Sequence, residues 1–250
     1  MRGVLLPLSL GLAAVMAPFA LAQETDDAAL MAEAAWDWRP GDLIFRDGLN
    51  EIDGVIKRAF GLRWESVGIL RPSSGGPRVV YVDPSEGATE EMLYVYVDGL
   101  SARDYAVYRV REAGREQARP GQMNAAQMNT AHMETGQMNT GALAQPALTV
   151  FYGAPSDDGL MLGDGAFYSA ELVYEAALNA GIVLGAPIRL SDLAANPDDL
   201  DRGLRAHLED HRYCRYELSF EACWANSLGQ HAIVTTGSLI GSGMLERVFP

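Results

Sequence analysis

Asp-Gly-Ala-Phe-Tyr-Ser-Ala-Glu-Leu-Val-Tyr-Glu-Ala-Ala-Leu-Asn-Ala-Gly, residues Asp164–Gly181, carries the punctuation of a helix. Asp164 has a side chain suited to capping the first free N–H groups, and Gly181 stands where a left-handed stop residue belongs. Between them Ala170, Val173, Ala177 and Ala180, flanked by Leu172, Ala176 and Leu178, give a broad apolar face that must be buried. Ser169 falls near the helix start, where the positive end of the macrodipole stabilises a developing anion. A nucleophile placed there is activated by its position, provided that a base stands nearby. That base is what the rest of the chain has to supply.

Upstream, Trp36–Gly41 reads as a turn into a strand at Asp42–Phe45. Leu49, Ile52, Val55, Ile56, Ala59 and Phe60 keep the i, i+3, i+4 spacing of an amphipathic helix that Gly61 ends. Val67–Leu70 and Val79–Val82, joined by the tight loop Pro72–Pro77, predict a hairpin. Met92–Val97 and Ala106–Val110 read as two further strands, so the first half is mostly antiparallel sheet. Ala147–Tyr152 suits helix or strand. Downstream, the pattern predicts a helix at Leu200–Glu209 and a short strand at His231–Thr235. The Gly237–Gly243 stretch lacks the Gly-Lys-Ser/Thr ending of a phosphate loop.

Between the halves, Gln122–Gly141 repeats a pentapeptide four times: Gln-Met-Asn-Ala-Ala, Gln-Met-Asn-Thr-Ala, His-Met-Glu-Thr-Gly, Gln-Met-Asn-Thr-Gly. A five-residue step matches neither the helical nor the strand period, so its methionines build no single apolar face. The stretch at about 115–146 reads as a disordered, low-complexity insertion. Soft-metal binding by its thioethers is the sharper alternative, but no His or Cys stands beside each Met.

Composition narrows the function classes. Residues 1–22 have the form of a secretory leader: Arg2, an apolar run interrupted by Pro7 and Pro18, and a small-residue cleavage site at Ala20–Ala22. No other segment is long and apolar enough to span a bilayer, which points to a secreted or periplasmic chain with one domain over 23–250. With 19 basic against 33 acidic residues and a net charge of −14, nucleic acid and anionic membranes are poor partners. Cys214 and Cys223 suit a short-loop disulfide in an oxidising compartment. Histidines 132, 207, 211 and 231 are scattered and lack a ligand spacing with the cysteines, so neither a metal nor another cofactor is expected.

Several stretches, in order, resemble the permuted papain-fold cysteine hydrolases of the NlpC type, the YiiX/YebB-like group. They are Pro40-Gly41-Asp42-Leu43-Ile44-Phe45, Trp64-Glu65-Ser66-Val67-Gly68-Ile69-Leu70, Val80-Tyr81-Val82-Asp83, the turn Gly153-Ala154-Pro155, and Tyr168-Ser169-Ala170-Glu171-Leu172-Val173. The resemblance covers about 37–184 without the repeat. It implies an α+β, circularly permuted papain-like fold, with a small antiparallel sheet or half-barrel packed against helices. It also implies roles: Ser169 at the nucleophile position, Ser66 at the base position, and Asp83, with Glu86 second, at the third polar position. Glu171 matches an acid of the family motif, and suits an exposed helix-start charge equally well.

The departures are chemical. The family has Cys where Ser169 stands and His where Ser66 stands. A thiol, with a pKa of about 8.5, yields thiolate beside an imidazole, whereas a serine hydroxyl needs a base to take its proton, and another hydroxyl is a very poor one. Loss of a nucleophile or base costs on the order of 10⁴–10⁶ in turnover. The expectation is a catalytically inactive hydrolase-type domain that binds a cell-wall (peptidoglycan) peptide, an acylated ligand or a partner protein. The alternatives are an amide or ester hydrolase or acyltransferase using Ser169 with a migrated base such as His231 or His207, or a nucleophile relocated to Cys214 or Cys223 near His211 or His231.

Overall fold

The structure is a computed structural model that describes residues 36–111 and 140–250. The expected leader, and all but the end of the pentapeptide repeat, lie outside them. The first elements are β1 (Leu43–Arg46), α1 (Glu51–Phe60), β2 (Ser66–Ser73), β3 (Gly76–Asp83), β4 (Gly87–Met92), α2 (Leu93–Tyr96) and β5 (Tyr105–Val110). After the repeat come α3 (Ala144–Thr149), α4 (Ser169–Asn179), β6 (Ile188–Arg189), α5 (Arg202–Glu209), α6 (Phe220–Asn226), β7 (Ala232–Ile233), α7 (Thr236–Gly241) and β8 (Leu245–Phe249). Strands pair in the order β4-β3-β2-β1-β5-β8, all antiparallel, and β6 pairs with β7 in a second small sheet. This is an α+β architecture.

Strand alternation sends side chains of the six-stranded sheet to two cores. Leu43, Phe45, Val67, Ile69, Val80, Val82 and Ala106 face the larger one, where they meet Leu172, Val173, Ala176 and Ala177 of α4. Ile44, Leu70, Val79, Tyr81, Tyr105 and Val107 face the smaller one, closed by Leu93 and Tyr96 of α2. Here the sequence pattern misleads. Met92–Val97 is not a strand: the strand lies earlier, and Leu-Tyr-Val-Tyr turns once as a helix, with Val97 N–H on the Leu93 carbonyl at 3.1 Å. Burying Leu93 and Tyr96 on one helical face outweighs the strand preference of the Tyr-Val-Tyr run.

The helix around which the sequence was organised is also shorter than its punctuation suggests. Asp164 does not cap it. Its carboxylate accepts from Ala166 N–H at 3.0 Å and pairs with Arg212, while Tyr168 is the N-cap and contributes no capping side chain. Gly163 and Gly165 have positive φ, and Ser156 and Phe167 form a bridge that holds the approach extended. The far end behaves as expected: Gly181 has φ 76, and Ile182 N–H closes back onto the Ala177 carbonyl at 2.8 Å.

Two contacts outside the site hold it in place. Asp42, fully buried, takes both arms of Arg109 at 2.7 and 2.8 Å. Replacing Arg109 with Leu would leave that carboxylate without its counter-ion, with the Arg39 N–H (2.8 Å) as its remaining donor, and urea titration should show a loss of about 3 kcal/mol. A loss under about 1 kcal/mol would mean that the charge reaches water. The second contact is a clasp between the start of β4 and the approach to α4. Ala88 N–H donates to the Ala154 carbonyl at 2.8 Å and Gly153 N–H to the Ala88 carbonyl at 2.7 Å. The clasp needs Gly87, at φ 75, because a Cβ there would lie 2.0 Å from the Ala154 oxygen.

Candidate active site

Ser66 opens β2 and Ser169 opens α4, and both are fully buried. The two meet at a third residue, Asp53 of α1, which is only 1% exposed. Ser66 Oγ donates to Asp53 Oδ2 at 2.6 Å. Both the hydroxyl and the backbone N–H of Ser169 also interact with this carboxyl and help to lower its pKa. Ser169 Oγ itself has no hydrogen-bond partner among the described residues. Burial is the dominant influence. It raises Asp53 to about 6, against the lowering effect of the two serines and with a small push from Glu65. At neutral pH the cluster therefore holds a mostly ionised carboxylate at the head of α4.

Asp53 is the residue that the sequence reading passed over, although the signal was present. On the face defined by Leu49, Ile52, Ile56 and Phe60, Asp53 sits one residue after Ile52 and three before Ile56. A carboxylate at a core-facing position of an amphipathic helix must find partners or shift its pKa. Asp83 is the last residue of β3, and its side chain folds onto the turn that follows. Burial pushes its pKa up, but the Ser85 hydroxyl (2.7 Å) and the N–H groups of Ser85 (2.7 Å) and Glu86 (3.0 Å) donate to it and outweigh that, so its pKa falls below the usual carboxylate value.

The three histidines among the described residues engage other groups. His211 and His231 pack on Tyr213, with ring centroids 5.1 and 5.2 Å away, and His207 Nε2 contacts the Asp158 carbonyl. Burial lowers the pKa of both His211 and His231. Cys214 and Cys223 are bonded to each other, so the relocated-nucleophile alternative is overturned: neither sulfur is a free thiol.

Glu171, two residues along α4 from Ser169, is not a surface charge but fully buried. Its Oε1 accepts from Gly163 N–H at 2.9 Å, while Oε2 has no partner among the described residues. Burial, with Asp157, Asp164 and Glu175 nearby, raises its pKa to about 8, partly offset by the Gly163 bond. It is therefore mostly protonated at neutral pH and ties the approach loop to the helix.

No protein-family model matches the sequence, and no curated protein does. Among solved structures, the chain is similar to the metalloprotein YiiX from Escherichia coli O157:H7, a DUF1105 protein. The match has 20% identity and a TM-score of 0.59, and covers 86% of this chain and 100% of the other. At that identity the likeness is one of architecture: this chain has a YiiX-like α+β fold.

Proposed function

We propose that the chain is an exported, catalytically silent relative of the permuted papain-like, NlpC-type hydrolases, whose α4 head serves binding rather than bond cleavage. The observation that carries this reading is Asp53. Acyl transfer needs a base for the nucleophile and N–H donors for the oxyanion. The Ser169 side chain and backbone both help to lower the Asp53 pKa, so the carboxylate stands beside the head of α4 and brings a negative charge to the place where negative charge would develop. The hydroxyl at the base position is itself engaged as a donor to the same carboxylate. Export fits the leader-like N terminus and the Cys214–Cys223 disulfide. The bound partner on this reading is a cell-wall peptide, an acylated ligand or another exported protein.

YiiX is described as a metalloprotein, and among the described residues of this chain no three His, Cys, Asp or Glu side chains gather in a metal-binding group. No step is assigned to a metal.

The test is chemical. The purified chain, given a fluorophosphonate probe and then wall-peptide fragments and acyl esters, is expected to show neither labelling at Ser169 nor turnover. Labelling that disappears in Ser169→Ala would overturn the reading. One observation favours a rival, a serine hydrolase with a carboxylate base. With a pKa of about 6, Asp53 is ionised at neutral pH and can accept a proton. On that reading, Ser169 labels and Asp53→Asn abolishes the labelling.

A further inference from the structure

The approach to α4 is pinned at its base and thinly tied at its tip. At the base, Phe167 N–H donates to the Pro155 carbonyl at 2.9 Å, and Asp157 N–H to the Phe167 carbonyl at 2.8 Å. Ends held this close make the stretch 158–166 an Ω-loop, a compact surface unit of about 6–16 residues. Such a unit can open with its base intact. Asp158 and Gly163–Gly165 are exposed. The polar ties from the tip to the body are Gly163 N–H to Glu171 Oε1 at 2.9 Å, Asp164 to Arg212, and the Asp158 carbonyl to His207 Nε2. Leu160 is the apolar anchor, 1% exposed, and it sits at φ 55, a left-handed conformation that a leucine rarely adopts. Opening relaxes that strain, which offsets part of the cost of baring the side chain.

Among these ties Glu171 alone is fully buried, and its Oε2 has no partner among the described residues. A negative charge on it has one N–H to hold it in place of water. It also faces Asp157 and Asp164 of the approach, Glu175 one turn along α4, and the Tyr168 phenol. From the α5 side, His207 and Arg212 meet the loop, and His211 lies beside Gly159. Asp157 is itself 4% exposed and shapes the loop by accepting from Gly159 N–H (2.6 Å) and Met161 N–H (2.7 Å). A neutral Glu171 carboxyl suits the closed loop. An ionised one is better solvated by water, and water reaches it when Gly163 lifts away.

We propose that loop 158–166 is a proton-held latch: the protonated Glu171 carboxyl keeps it shut on α4, and ionisation releases it locally while the sheet and α4 stay folded. The bonds at the base keep Phe167, and with it the start of α4, in place, so what the release bares is the first turn of α4 at Glu171. The direction follows from the proton. The closed loop holds it up to about 8, and a hydrated carboxyl loses it near 4.5. Opening therefore becomes more favourable as pH rises between those values and levels off above the upper one. The latch does not rest on whether Ser169 is silent.

Hydrogen exchange of the full chain, read by mass spectrometry at pH 5, 6, 7 and 8 and corrected for the intrinsic pH dependence of exchange, tests this. The opening constant of the 158–166 amides, Gly163 and Met161 among them, should rise about tenfold per pH unit up to pH 7 and flatten near pH 8. In about 0.5 M urea these amides should exchange no faster, because a local opening bares little surface, whereas the amides of β2 and β3 should speed up. Glu171→Gln keeps an acceptor for Gly163 and should reduce the pH response to under about twofold per unit. His207→Gln, which removes the other ionisable side chain that ties the loop to a helix, should leave the response in place. A flat wild type, a slope that survives Glu171→Gln or vanishes in His207→Gln, or urea sensitivity equal to that of β2 and β3 would each overturn the proposal. Should Glu171→Gln fail to fold, the wild-type slope, the urea comparison and His207→Gln still decide.

Discussion

Glu171→Gln is expected to stabilise the protein at pH 8 by about 3–5 kcal/mol, and to flatten most of the fall in stability between pH 5 and pH 8. The sign follows from where the proton sits. In the unfolded chain Glu171 loses its proton near 4.5, while in the folded chain it keeps it to about 8. Between those values the folded state binds more protons, so stability drops as pH rises and levels off above the folded pKa. Asp53 acts the same way over a lower window, from 3.8 to about 6, and steepens the acidic part of the curve. Glutamine keeps an acceptor for Gly163 N–H and cannot ionise. Urea titrations of wild type and variant at pH 5, 6.5 and 8 measure the effect. Parallel curves would mean that the Glu171 carboxyl ionises in the folded protein at little cost.

The second large effect concerns the serine cluster. Ser169→Cys alone is expected to give no esterase turnover, with thiol alkylation rising only above about pH 8.5, because burial and the Asp53 carboxylate both oppose a thiolate. Adding Ser66→His supplies a base, and Asp53→Ala removes the competing anion and makes room. The imidazole still enters a fully buried position, at a packing cost of about 1–3 kcal/mol, so folding is checked first by thermal melting. The folded triple variant should alkylate at pH 7 and cleave an activated acyl ester about 10²–10⁴ times faster than Ser169→Cys alone. If the single variant is already as fast, no base was missing. If the folded triple variant forms no thiolate below about pH 8.5, positions 66 and 169 are not aligned for catalysis.

How far the sequence reached depended on whether a feature is local. The hairpin at β2–β3, helix α1 with its Gly61 stop, and the Gly181 end of α4 are written in short-range periodicity and turn chemistry, and they appear as read. The start of α4 does not. Asp164 has the right chemistry for a cap, but Arg212, 48 residues away, takes its other oxygen, and the bridge at Phe167 fixes the extended approach. The same holds for the site. Ser66 and Ser169 were found as departures from a motif, whereas the carboxyl between them comes from a helix whose own period marked that position as interior. Asp83 was favoured because it ends a strand next to the motif. Its side chain turns back onto Ser85 and Glu86, a choice made by the two following residues.

The clasp at Gly87 leaves a remote handle on the serine cluster. It touches neither serine, yet it anchors the segment that delivers α4 to the sheet. Gly87→Ala should therefore disturb the surroundings of Ser169 from a distance, by wedging the two backbones apart. Because the clasp is built from backbone groups, its grip does not depend on which side chains occupy positions 66 and 169.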